Sequence, residues 1–416
     1  MDPFVYLNGK HWEIIYCCVC LKSIEKVKRP EMKDKFEFGE QLEYFYPLLD
    51  MIFDYLSDKD LDNVMQVKKS WAAVAERILR KRSKPCWVSC YQENGRVLFK
   101  DSGNMHFSNG TTAFIFFGKH YNLNEYISLH EEIHSFQQMK FVEYCSREIV
   151  SRNINFCVLT CPKVVSYFSQ DIEIRNGSIF DTLFLPEIPG IKTIMFNCNF
   201  SKLKRNPALL ETYIKPNEEV KCLLVFDESD IRSSIDFLFK IILKETTANE
   251  IALGGGITHG VKLFKNDPKL TEQIRSRHET FCIAFTKQKG EEPDFQAVSR
   301  VIEGNELSRR ELNKELMELR KSIVMRSNSI GLRICCQAKR RKGKESLIFN
   351  AHFPNTPLFG VEVEGEVGWN SNLPQDKVAE QPESFRPKRC KVLYPKFQYE
   401  WSSIFVVITW GNIIEM

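Results

Sequence analysis

Two different spacings of apolar residues divide the chain. Between 41 and 82 they recur at three- and four-residue steps: Leu48, Leu49, Ile52, Phe53 and Leu56, then Leu61, Val64 and Val67, then Trp71, Val74, Ala75, Ile78 and Leu79. That period gathers each set on one side of a helix, so three short helices are expected. Ser57-Asp-Lys-Asp60 lies between the first two, and its Ser-x-x-Asp spacing suits a helix N-cap. From Cys86 onward the pattern changes to short apolar runs broken by Gly, Asn and Pro. Cys86–Cys90, Ala113–Phe117, Phe156–Leu159, Cys222–Phe226, Ile251–Leu253, Phe281–Phe285, Gly331–Cys336, Leu358–Val363 and Ile404–Ile408 read as strands. Helical spacing returns over Ile231–Leu243, through Ile235, Leu238, Phe239 and Ile242, and over Ser308–Ile323, through Leu312, Leu316 and Leu319.

Strand runs interleaved with helices predict an α+β or mixed α/β class, a small three-helix module followed by a large mixed-sheet domain. The expected boundaries are an N-terminal extension over 1–40, the helical module over 41–82 and the large domain over 83–416. Lys26–Lys35, charged and holding Pro30, reads as a linker, and the Pro- and charge-rich stretch 371–391 as a surface loop.

Composition narrows the class. A chain of 416 residues suits two or three domains, and 43% hydrophobic residues suffice to build their cores. A net charge of +4 is too mild to indicate direct nucleic-acid binding. Of the 14 Cys, Cys157, Cys222, Cys282, Cys335 and Cys336 sit inside apolar runs, as buried reduced thiols do. Met1-Asp2-Pro3-Phe4 lacks the basic start of a signal peptide, and neither Ile14–Leu21 nor Ile404–Trp410 is long enough to span a bilayer. A location in the cytosol or nucleus, away from membranes, is expected.

Three helices in about forty residues bury little surface and need a partner or a neighbouring domain. Ile52-Phe-x-Tyr-Leu-Ser-x-x-Asp-Leu61, followed by Val67-Lys-Lys-Ser-Trp71, resembles the F-box motif in order and spacing. One departure is Tyr44-Phe45 with Pro47, where members of that family carry Leu-Pro; Pro47 is compatible with a first helical turn. The resemblance implies docking on a Skp-type adaptor, and through it a cullin scaffold, by Leu48, Leu49, Ile52, Phe53, Leu56, Leu61, Val64, Val67 and Trp71.

The large domain resembles the FIST-type domain that follows an F-box in some members, with its signature over about 220–416. The segments concerned are Gln170-Asp-Ile-Glu-Ile174, Leu185-Pro-Glu-Ile-Pro-Gly-Ile-Lys192, Ile251-Ala-Leu-Gly-Gly-Gly256, Pro357-Leu-Phe-Gly360 and Gly365-Glu-Val-Gly368. That resemblance implies recognition of a protein substrate or sensing of a small ligand, with Gly254, Gly255, Gly256, Gly360, Gly365 and Glu366 as candidate pocket residues. The residues themselves favour a structural turn at Gly254–Gly256, because no Gly-Lys-Ser/Thr follows and the dinucleotide spacing is missed. Gly365-Glu366 is expected to turn the chain and leave Glu366 in solvent or capping a turn.

Three features point elsewhere. His130-Glu131-Glu132-Ile133-His134 matches H-E-x-x-H, which on a helix would set His130 and His134 on Zn²⁺ with Glu131 as general base. No Gly or His follows at the spacing of the three-His version, and a surface helix explains the run as well. Cys17-Cys-Val-Cys20 lacks the second pair that a structural zinc site needs. Lys339-Arg-Arg-Lys-Gly-Lys344 reads as a solvated hairpin loop, or else as a nuclear-import or acidic-partner patch. The sequence therefore predicts a non-catalytic receptor subunit of a Skp–cullin–F-box ubiquitin ligase without a cofactor. A zinc hydrolase and a small-ligand sensor are the alternatives.

Overall fold

The structure, a computed structural model, describes residues 46–56, 58–93, 96–102, 110–118, 154–167, 178–228, 232–243, 246–264, 279–340, 343–372 and 395–414. Contacts divide these residues into two units, the chain passing from the first to the second between Arg80 and Lys81.

The first unit holds α1 (Tyr46–Phe53), α2 (Asp58–Met65) and most of α3 (Lys69–Arg82). Eight-residue helices are too short to stand alone in water, so packing must hold them. Leu49 and Phe53 of α1, Leu61 of α2 and Val74, Ala75 and Ile78 of α3 are buried together, with Leu56, Val64, Met65, Trp71 and Leu79 packed around them. The Phe53 and Trp71 rings meet edge to face at 5.6 Å, and Asp50 pairs with Arg77 across α1 and α3. The expectation for Val67 needs correction: it follows the end of α2, in the turn before α3, and is exposed.

The strands of the second unit are β1 (Cys86–Glu93), β2 (Arg96–Asp101), β3 (Gly110–Gly118), β4 (Asn155–Cys161), β5 (Ser178–Pro186), β6 (Lys192–Asn199), β7 (Glu218–Asp227), β8 (Ala252–Ile257), β9 (Gly260–Phe264), β10 (Glu279–Gln288), β11 (Phe295–Glu303), β12 (Arg326–Cys336), β13 (Leu358–Val363), β14 (Glu366–Gly368), β15 (Gln398–Tyr399) and β16 (Ser402–Ile413). Its helices are α4 (Phe200–Arg205), α5 (Arg232–Ile242), α6 (Arg309–Lys321) and α7 (Gly343–His352). Three sheets result, ordered β2-β1-β5-β3-β4-β9, β15-β14-β8-β7-β10-β6 and β11-β16-β12-β13. Each is mixed: β3–β4, β7–β8 and β12–β13 are parallel, and the other pairs antiparallel. The mixed α/β class is thus as expected.

One core joins all three sheets: Phe114, Phe116 and Leu183 from the first, Leu224, Phe226 and Ile283 from the second, Leu332, Ile334 and Val406 from the third. The second and third sheets are covered on their other faces as well. Leu223, Val225, Cys282 and Ala284 pack with Ile235, Leu238 and Phe239 of α5. Val298, Phe405 and Val407 pack with Leu312, Leu316 and Leu319 of α6 and Ile348 and Phe349 of α7. Burial on both faces is why these strands are continuously apolar instead of alternating. Helix α6 starts on a capping box, Ser308 Oγ accepting from Glu311 N (3.2 Å) and Glu311 Oε2 from Ser308 N (2.8 Å). Helix α7 went unpredicted, since its apolar positions form no clean stripe.

Two further expectations are corrected. Gly254–Gly256 is no turn but the body of β8, between β7 and β14. The basic run is no solvated hairpin: Lys339 is buried and Gly343 opens α7.

Candidate functional site

Helix α1 has two apolar faces. Leu49 and Phe53 fill the core of the first unit, while Leu48, Met51, Ile52 and Tyr55 are exposed by 42%, 52%, 40% and 90%. The exposed four stand at i, i+3, i+4 and i+7, the spacing of a single helical face carried into the following turn. Val67, 64% exposed, adds a fifth large side chain in the same unit. Water-facing apolar residues are ordinary when scattered, but a stripe of this kind suits a partner. The motif residues therefore separate. Leu48, Ile52 and Val67 are available to a partner, Leu49, Phe53 and Leu61 are interior, and Leu56, Val64 and Trp71 are half-buried around that interior.

Most of the expected pocket residues do come together, but as packing. Gly256, Gly255 and Gly254 of β8 pair with Glu366, Val367 and Gly368 of β14. Side chains would obstruct this seam. A Cβ on Gly254 would lie 2.7 Å from Val406, and one on Gly256 would lie 2.5 Å from the Gly365 carbonyl. Gly255 has φ +152°, and its Cβ would meet the Val225 carbonyl at 1.9 Å. Gly360 lies elsewhere, on β13, against the segment 163–167.

Glu366 departs from its expected exposure. It is buried in β14, where Oε2 accepts from Ser402 N (3.2 Å) and Ser402 Oγ (2.9 Å). Oε1 has no hydrogen-bond partner among the described residues. Burial pushes this carboxyl above its usual value, against the stabilising Cys336 thiol, Ser402 and Lys339. Cys336 is itself shifted up, first by burial and then by Glu366, so it rests as a thiol.

A second polar cluster lies near the same end of the third sheet. Glu345, near the start of α7, binds Arg333 Nε through Oε2 (3.0 Å) and Lys339 Nζ through Oε1 (2.8 Å). Ser403 Oγ donates to Glu345 Oε2 (2.7 Å), and Arg333 donates to Ser346 Oγ (3.0 Å). Lys339 also donates to the Ile302 carbonyl (3.2 Å). All these side chains are buried. Burial pushes Glu345 up, but Arg333 and Lys339 outweigh it and hold the carboxyl below its ordinary value. The cluster is a closed ion network that fastens α7 to β12 and β16. Its charged members, Arg333, Lys339 and Glu345, are near one another in the chain but lie on β12, just after it and on α7, so no single period along the sequence marks them as a cluster.

The three sheets leave a small gap between them, lined by apolar side chains that include Phe114, Phe226, Leu332 and Phe359. With no polar group to orient a ligand, it is a packing defect. His130, Glu131, His134, Cys17 and Cys20 lie outside the described residues. Among the described residues no cluster of three or more metal-ligating side chains occurs, and no helix is long and apolar enough to cross a membrane.

No protein-family profile matches the chain, and no curated protein matches it. Among solved structures, a cyanuric acid hydrolase from A. caulinodans aligns at 7% identity with a TM-score of 0.31, over 75% of this chain and 93% of that one. So weak a likeness supports no argument about fold or function.

Proposed function

We propose that the chain is a substrate-receptor subunit of a Skp–cullin–F-box ubiquitin ligase. In this reading α1–α3 are the F-box, and Leu48, Ile52 and Val67 enter the contact with a Skp-type adaptor. The large mixed α/β domain is a FIST-type domain that holds the protein substrate. The observation that carries the reading is the second apolar face of α1, exposed at helical spacing within the F-box-like motif. Such a receptor needs no catalytic residue. It raises the local concentration of substrate lysines near the charged conjugating enzyme, and the substrate is ubiquitinated and degraded by the proteasome.

The test is co-purification of the full chain with a Skp-type adaptor, beside Leu48→Asp and Ile52→Asp. Both substitutions add charge at exposed positions, so folding should survive while adaptor recovery falls at least tenfold. Failure of the unsubstituted chain to recover the adaptor, or equal recovery by the two variants, overturns the proposal.

A further inference from the structure

The same set of four strands occurs three times in the large domain. Its members lie in the orders β1-β5-β3-β4, β6-β10-β7-β8 and β11-β16-β12-β13. In each set the first strand is antiparallel to the fourth, the fourth antiparallel to the second, and the second parallel to the third. The sets can therefore be compared strand for strand. The outer edge of β1 is paired by β2. That of β11 is covered by the segment after β14, where Ser371 N donates to Ser299 O (3.0 Å) and Val301 N to Asn370 Oδ1 (2.7 Å). Beyond β6, which holds the same place in its set, no described residue forms a main-chain pair. β9 comes near β6 without a main-chain bond to it. Of the other sheet ends, β13 is bonded by residues 163–167. β2, β9 and β15 are shorter than β6, with six, five and two residues against eight.

The side chains of β6 already have places: Met195 lies in the core shared by the sheets, and Phe196 and Cys198 lie on the α5 side. All eight residues pair with β10 without a shift of register. A straight row of main-chain donors and acceptors is left along the outer side. Native sheets blunt such an edge with a proline, a bulge or charges, because it is a template for a second chain. β6 has neither proline nor bulge, and its one charge is Lys192 at the first position, engaged by Glu218 (2.9 Å). Asn197 Oδ1, on the same strand, has no hydrogen-bond partner among the described residues. Helix α4 begins where β6 ends, Asn199 Oδ1 capping it by accepting from Lys202 N (3.1 Å). Lys202, Lys204 and Arg205 are exposed, and none has an ion-pair partner among the described residues.

We propose that the β6 edge docks an extended, acidic segment of a partner protein. The segment pairs main chain to main chain along Lys192–Asn199 and sets its Asp or Glu side chains beside Lys202, Lys204 and Arg205. Main-chain bonds supply affinity, and the basic helix selects the partner. This site is separate from α1 and does not depend on adaptor docking there.

Residue-resolved amide exchange on the full chain tests the edge first. With β10 on one side only, alternate amides along Ile194–Cys198 should exchange about a hundredfold faster than those between them. Peptides of about twelve residues are then selected from a random library on the full chain. The tightest should be rich in Asp and Glu, and at saturation should slow the fast β6 amides about tenfold or more while leaving the β7 amides unchanged. Lys202→Glu, Lys204→Glu and Arg205→Glu combined should weaken its Kd about tenfold. The thermal midpoint should hold, since all three side chains are exposed. Recovery of a Skp-type adaptor by that variant should match the unsubstituted chain, which keeps this site distinct from α1. Uniform protection of β6 in the free chain, a library without binders, binders that lack acidic residues, or an affinity untouched by the charge reversal each overturns the proposal. So does protection of β6 that appears only as the chain is concentrated, which gives the edge to a second copy.

Discussion

Gly360 shows how much one hydrogen atom in place of a side chain can decide. A Cβ there would lie 1.7 Å from the Val165 carbonyl oxygen, main chain against main chain, with no flexible side chain to yield. Even Ala must push the 163–167 segment off β13 and break the bonds between them. Gly360→Ala should therefore cost about 3 kcal/mol or more, as strained core substitutions do. Urea unfolding measures it, and a loss below about 1 kcal/mol would contradict the close approach. The same reasoning moves Gly254, Gly255 and Gly256 from a candidate ligand loop to a packed seam. The sequence shows that something approaches these glycines closely, but not whether it is a ligand or another strand. Glu366 was equally ambiguous: its partners Ser402 and Cys336 lie 36 and 30 positions away.

Helix α1 illustrates how adjacent residues take opposite roles. Phe53→Ala should destabilise the helical unit by about 3–5 kcal/mol, since it empties a buried aromatic site. Ile52→Ala, one position earlier and 40% exposed, should cost far less. Denaturant unfolding of both variants distinguishes the faces, and equal losses would contradict the orientation of α1. A Phe53 substitution therefore reports folding, whereas an Ile52 substitution tests the proposed docking. Helix α6 carries a smaller test. Ser308→Ala removes the cap on Glu311 N and should cost about 1 kcal/mol; a change within about 0.3 kcal/mol would mean that the capping box contributes little. Both α5 and α6 were legible in the sequence, because their buried residues recur at helical spacing. Helix α7 was not, because its buried side includes Glu345 and Ser346 as well as Ile348 and Phe349. A polar residue on an inner face hides the period that would have revealed it.

Across the large domain, burial and charge give stability two opposing responses to pH. Glu345 is held below its ordinary value in the folded state, so its contribution is present above the normal carboxylate range and is lost as pH falls through the folded value. Asp181 runs the other way. Its folded value near 6 lies above the ordinary 3.8, so stability rises as pH falls through that window. Thermal unfolding should show greatest stability in mild acid and a decline below it. Glu345→Gln should cost about 3–5 kcal/mol near neutrality, because it strands Arg333 and Lys339 as buried cations, and should flatten the acid decline. An unchanged pH profile in that variant would remove the ion network from the account.

Taken alone, the sequence determined the change from helical to strand period near residue 82, the mixed α/β class, and α1–α3, α5 and α6. These follow from the local spacing of apolar residues, which the chain carries wherever it folds. Only the tertiary structure decided which face of α1 is left in water, that Gly254–Gly256 lie between strands, and that Asp181 is enclosed with no countercharge among the described residues. Each of those depends on which distant segment arrives alongside, and solvent exposure, electrostatics and steric room are properties of the assembled neighbours.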